Sequence, residues 1–143
     1  MAILRKNNAT PQRAIGAAVN LSAPAAPRRV RRMEESGVIR ANLALVGPAK
    51  VGRPLTIFVE MRLESERAEL IDAAKRALAA APEAPQRHYV AGEVDFFLTV
   101  VVATMSEYEA LTRRLFFADA NIKWFGAFVA MDCIKADFSV PLS

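Results

Sequence analysis

Four arginines, Arg28, Arg29, Arg31 and Arg32, flank Val30 and precede Met33 in one short run. Guanidinium groups bind anions through a rigid fork of donors, so such a run is equipped for carboxylates or phosphates. At about 100° per residue on a helix, Arg28, Arg31 and Arg32 share an outward face, with Arg29 on its flank. Ala26, Val30 and Met33 fall on the opposite side. A helix with one basic face and one packing face can reach the phosphates and base edges of double-stranded DNA. Four arginines on a merely solvated helix have the same spacing, so the run by itself leaves both readings open. A second group, Gly92-Glu93-Val94-Asp95, suits a small zwitterion. Gly92 lets the backbone turn sharply and leaves amides free for a carboxylate, while Asp95 can face an ammonium group. A plain hairpin turn favours the same residue types.

Other reactive side chains do not assemble into a site. His88 is the single histidine, lies in an expected strand, and reads as a packing or hydrogen-bonding residue. Glu60, Glu64 and Glu66 do not form an acid/base pair, and Cys133 is expected to be a half-buried strand residue. There is no phosphate loop, metal-ligand spacing or nucleophile elbow. No catalytic residue, metal or cofactor is therefore expected, and the protein is not expected to be an enzyme. One cysteine excludes an internal disulfide and a multi-cysteine metal site, and it suits a reducing compartment. With no apolar run of about 18 residues and no signal-peptide core at MAILRKNNAT, the expectation is a soluble, cytoplasmic protein that does not enter the membrane.

A chain of 143 residues, 53% of them hydrophobic, can bury one good core or two small ones. Its net charge of +4 favours polyanionic partners without requiring them. The basic excess lies in residues 1–54, and the acidic residues gather after Glu60, which suggests two domains with different partners.

The elements that would position the arginines come first in the chain. Thr10 to Val19 reads as a short helix with Thr10 as N-cap, Pro11 at the first helical position, and Ile15 and Val19 on one face. Asn20-Leu21-Ser22 is a tight connection to the basic helix, in whose first turn Pro24 and Pro27 lie. Pro27 stands where an apolar packing residue would be wanted. Gly37 is a C′ stop. Two short helices joined by a brief turn, the second basic, describe a helix-turn-helix. Arg40 to Val46 alternates enough for a short strand, with Leu43 and Leu45 on one side. Gly47-Pro48 and Gly52-Arg53-Pro54 break the chain into a linker.

From Leu55 to Leu63 apolar and polar residues alternate as in a strand. Ser65 could cap a helix carrying Leu70, Ile71, Ala74, Leu78 and Ala81 on one side. Arg87 to Ala91 is a strand, Gly92 to Asp95 a turn, and Phe96 to Ala103 a central strand apolar on both faces. Ser106-Glu107-Tyr108-Glu109 reads as a capping box opening a helix with Tyr108, Leu111 and Leu115 inward. A last extended region runs from about Ile122 to Ile134. The order β-α-β-β-α-β is the ferredoxin-like pattern, with both helices on one face of the sheet. The other face must also be covered, most simply by a second subunit.

The turn VNLS followed by RRVRRMEESGVI resembles the helix-turn-helix of the Lrp/AsnC (leucine-responsive, feast/famine) transcription regulators. His88, Val90, Gly92 and Asp95, with the aromatic and apolar residues after them, resemble that family's pattern between its second and third strands. The likeness covers nearly the whole chain. It implies an α+β protein: an N-terminal (winged) helix-turn-helix domain at 1–46, lacking most of the family's first helix, of which only Met1–Leu4 could remain. A linker at 47–54 and a ferredoxin-like effector-binding and oligomerisation domain at 55–143 would follow. It further implies DNA contacts by Ser22, Arg28, Arg29, Arg31 and Arg32, and an amino acid or related metabolite bound near Gly92, Glu93, Val94 and Asp95. The assembly would be a homodimer extending to a tetramer or octamer. The alternative is a metabolite-binding oligomer of the same family whose DNA-binding half is degenerate.

Overall fold

The computed structural model describes residues 4, 7, 9–20, 22, 25–136 and 140. The chain forms two compact units, Met1–Leu45 with Lys135–Ser143, and Val46–Ile134.

In the first unit, α1 spans Gln12–Ala18 and α2 spans Ala25–Glu35. Leu4 is helical, but Met1 to Ile3 lie outside the described residues, as do Leu21 and Pro24. Helix α1 begins one residue later than expected, after Pro11. The Thr10 hydroxyl donates to the Asn7 carbonyl at 2.8 Å, closing a turn of its own instead of capping the helix. Ile15 is buried, whereas Val19, already past the helix end, is exposed. Asn20 then takes φ +53°, the left-handed conformation that asparagine tolerates better than most residues. Helix α2 buries Ala26 and leaves Pro27 exposed. Pro27 thus occupies no packing position, and it sits in the first turn, where a missing N–H costs nothing. At the far end Gly37 turns left-handed at φ +74°, its N–H donating to the Glu34 carbonyl at 3.0 Å, as the expected stop requires.

The strand expected at Arg40 to Val46 does not form, and Leu43 and Leu45 are 72% and 73% exposed. A strand needs a neighbour for its backbone groups, and among the described residues none pairs with this segment. Asn42 instead reaches back with Nδ2 to Glu34 Oε1 at 2.9 Å.

The second unit opens with a short 3-10 turn at Pro48–Val51, closed by Gly52 at φ +76°. Four strands follow, β1 (Leu55–Leu63), β2 (Gln86–Tyr89), β3 (Phe96–Val102) and β4 (Ile122–Val129), with α3 (Ala68–Ala79) and α4 (Met105–Thr112) between them. A single π-type turn, Arg113–Phe117, extends α4. The sheet order is β2-β3-β1-β4 and every neighbouring pair is antiparallel, so the β-α-β-β-α-β expectation holds. One face carries Ile57, Val59, Met61, Leu98, Val100 and Val102, all buried beneath Ala74 and Leu78 of α3 and Leu111 and Phe116 of the α4 segment.

Several local expectations shift. Helix α3 starts after Arg67 without a side-chain cap. Ser65 instead exchanges hydrogen bonds with the Asn121 side chain, its N–H donating to Oδ1 at 3.0 Å and its carbonyl accepting from Nδ2 at 3.1 Å. The cap of α4 is Thr104, not Ser106: Thr104 Oγ1 accepts from the Glu107 N–H at 3.1 Å, while Glu107 Oε2 accepts from the Ala103 N–H at 2.8 Å. The last strand stops at Val129 because its partner β1 begins at Leu55, and the final bond there is Ala130 N–H to the Thr56 carbonyl at 2.9 Å. Cys133 lies beyond that stop and is exposed, not half-buried in a strand.

Candidate nucleic-acid face and ligand loop

Arg28, Arg29 and Arg32 line one open groove of about 710 Å3 on α2, with Met33, Ser36 and Val38 along its side. Residues three and four apart on a helix share a face, which brings these three together. Arg31, expected on the same face as Arg28 and Arg32, turns aside to Glu35, its Nε lying 3.1 Å from Oε1 across one turn. Arg29, expected on the flank, takes its place in the groove. Among the described residues the guanidinium groups of Arg28, Arg29 and Arg32 have no hydrogen-bond or ion-pair partner. Ser22 is exposed just ahead of α2, and its carbonyl accepts from the Ala25 N–H at 2.9 Å.

The loop between β2 and β3 holds the second group. The ladder ends at Val90, whose N–H donates to the Asp95 carbonyl at 2.9 Å. Gly92 lies at φ +155°, an angle that residues with side chains rarely adopt, and nothing stands within 4 Å of where a Cβ would be. Among the described residues, the backbone amides of Ala91, Gly92, Glu93 and Val94 donate to no acceptor. Three hydrogen bonds tie the far side of the loop to β1. The Asp95 N–H donates to the Met61 carbonyl at 2.8 Å, and Arg62 Nε donates to the Glu93 carbonyl at 2.8 Å. The Leu63 N–H donates to Asp95 Oδ2 at 2.6 Å. Asp95 is only 9% exposed, and one of its oxygens is therefore committed to the scaffold. Arg62 is the residue the sequence did not single out; alternation put it on the outward face, but its partner 31 residues away in the chain was not legible.

The outward face of the sheet is aromatic. Phe58, Phe97, Trp124 and Phe128 are 45%, 42%, 47% and 57% exposed. Phe128 pairs across from Phe58, and Trp124 across from Arg62 just before a bulge in the β1–β4 register. A Cβ on Gly126 would meet Trp124 Cη2 at 2.7 Å, so the indole lies directly beside that glycine. His88, opposite Phe97 on β2, is exposed and not packed as the sequence suggested. Among the described residues no group of three His, Cys, Asp or Glu is placed to hold a metal, and no helix is long and apolar enough to cross a membrane.

Known proteins match both units in the same order. A family model for the Lrp/AsnC ligand binding domain matches residues 56–140, and one for winged helix-turn-helix DNA-binding matches residues 1–40. An HTH-type transcriptional regulator from Sinorhizobium fredii is 40% identical over 97% of this chain and 82% of its own length. The crystal structure of an AsnC family transcriptional regulator from Agrobacterium tumefaciens aligns with TM-score 0.90 at 31% identity, covering 98% of this chain and 91% of that one. A feast or famine regulatory protein from M. tuberculosis, complexed with L-methionine, aligns with TM-score 0.86 at 26% identity over 97% of this chain and 92% of that one. With its basic helix and its ferredoxin-like sheet matched end to end, this chain belongs to the Lrp/AsnC family of DNA-binding transcription regulators.

Proposed function

We propose that residues 1–46 read double-stranded DNA, that 47–54 link, and that 55–143 assemble the protein and sense an amino acid or related metabolite. The protein acts in the cytoplasm by binding and not by catalysis. Arg28, Arg29 and Arg32 meet phosphates or base edges, with Arg31 and Ser22 beside them. The observation that carries this reading is that three guanidinium groups without a partner among the described residues share one groove. Gly92, Glu93, Val94 and Asp95 form the effector loop, supported by the run of amides with no acceptor among the described residues.

The assembly unit in this reading is a homodimer closed over the aromatic face, able to build a tetramer or octamer. Large aromatic side chains bury roughly 150–250 Å2 each, so four half-exposed ones leave on the order of 300–500 Å2 uncovered. A patch of that size matches the largest a typical monomer exposes, and such patches are often functional.

The test is DNA binding against salt, with the DNA upstream of the protein's own gene as probe. Each phosphate contact contributes about 0.9 to the slope of log affinity against log salt. Arg28→Ala with Arg32→Ala should weaken binding and flatten the slope by roughly 1.8 per subunit. An unchanged slope would remove these arginines from the interface and favour a degenerate DNA-binding half.

A further inference from the structure

The effector loop offers a carboxylate more than backbone amides. Arg62 stands on the outward face of β1, and its Nε is spent on the Glu93 carbonyl at 2.8 Å. That bond anchors the guanidinium group to the loop at its Nε. Its two Nη groups have no partner among the described residues, and the side chain is exposed. A guanidinium held by Nε presents its Nη edge as a pre-set fork, the geometry that takes a carboxylate bidentately. The amides of Ala91 to Val94, also without acceptors, belong to the same loop that Arg62 grips, and successive free amides favour an anion. Asp95 meanwhile has Oδ2 committed to the Leu63 N–H. The anionic end of a ligand is thus better provided for than its cationic end.

We propose that Arg62 is the specificity-determining residue of this site, binding the carboxylate of an amino acid through its Nη groups. The inference rests on the reading of residues 92–95 as the effector loop. It assigns selection for a free carboxylate to one side chain of β1.

The experiment uses the full-length protein and the twenty L-amino acids, screened by thermal shift. The most effective one is then titrated calorimetrically beside its carboxamide, which keeps the side chain and the ammonium group but lacks the carboxylate. Wild type should prefer the acid by about 10- to 100-fold, the range of a charge-assisted pair. Arg62→Ala should remove most of that preference, leaving only the part the backbone amides supply. Arg62→Lys, which keeps charge without the fork, should retain only part of the preference, and it serves alone if the alanine variant does not fold. Equal weakening of acid and amide in the variants would make Arg62 a strut for the loop and overturn the proposal, as would unchanged binding. If no amino acid shifts the wild type, the loop does not take an amino acid and the proposal falls with it. That outcome is seen before any variant is made.

Discussion

Replacing Asp95 by alanine should destabilise the Val46–Ile134 unit even with no ligand present. Asp95 Oδ2 accepts from the Leu63 N–H at 2.6 Å, and both residues are buried. Truncation leaves that amide without an acceptor in a place water reaches poorly. A buried group stranded in this way costs about 1–3 kcal/mol, and hydrogen bonds to a charged acceptor lie in the upper part of that range. Taking ~2 kcal/mol, and about 4–8 °C per kcal/mol for a domain of roughly 60–100 residues, the melting temperature should fall by some 8–16 °C. Asp95→Asn keeps an acceptor oxygen and should lose roughly half as much. The assay is urea or thermal unfolding at one fixed protein concentration, since self-association would make the midpoint depend on it. Asp95→Ala within about 0.5 kcal/mol of wild type, the range of an ordinary surface substitution, would refute the anchoring role. The same pair of variants bears on scaffold and ligand contact separately: Asp95→Asn keeps an acceptor for the Leu63 N–H while removing the charge an ammonium group would seek.

Three further outcomes are expected. Trp124, the single tryptophan, lies on the aromatic face; its emission should shift to the blue as protein concentration rises through dimerisation, and a constant spectrum with a monomer in sedimentation would contradict the interface. Glu107 is held below its ordinary pKa of 4.5 by the Ala103 N–H and then by Arg53, whose Nη1 lies 2.6 Å from Oε1. The folded state therefore binds fewer protons than the unfolded one just below that value, so this contribution is complete above the unfolded pKa and is lost as pH falls through the folded one. Arg53→Met should flatten the loss of stability below about pH 5, and an identical acid profile would count against the pair. Asn20 holds φ +53° in the turn before the basic helix, so Asn20→Val should cost about 1–2 kcal/mol of stability while Asn20→Gly is tolerated; equal stabilities by urea unfolding would show that the turn bears no strain.

Much of the fold was legible because its signals are local. Alternation from Leu55 to Leu63 marks a half-buried strand, since successive side chains point to opposite faces. Gly37 and Gly52 sit where the backbone goes left-handed, and only glycine does so without cost. The order of strands and helices then leaves the ferredoxin-like arrangement as the compact solution. The four arginines marked a basic helix from residue type alone, while leaving open whether it meets an anion or only solvent. What the sequence could not decide was which partner each group takes, because that choice depends on contacts far along the chain. Arg31 is the local exception: helical spacing put it with Arg28 and Arg32, yet the same spacing also offers Glu35 one turn on, and that pair forms instead. Leu43 and Leu45 alternate like a strand, but a strand exists only where a neighbour supplies hydrogen bonds. Asp95 read as a ligand group, and the fold commits one of its oxygens to Leu63. Arg62 read as one more outward residue until the sheet brought it against the Glu93 carbonyl. Local propensity acts within a turn or a pleat; hydrogen-bond partnership across 31 or 32 residues is settled only when the strands pair.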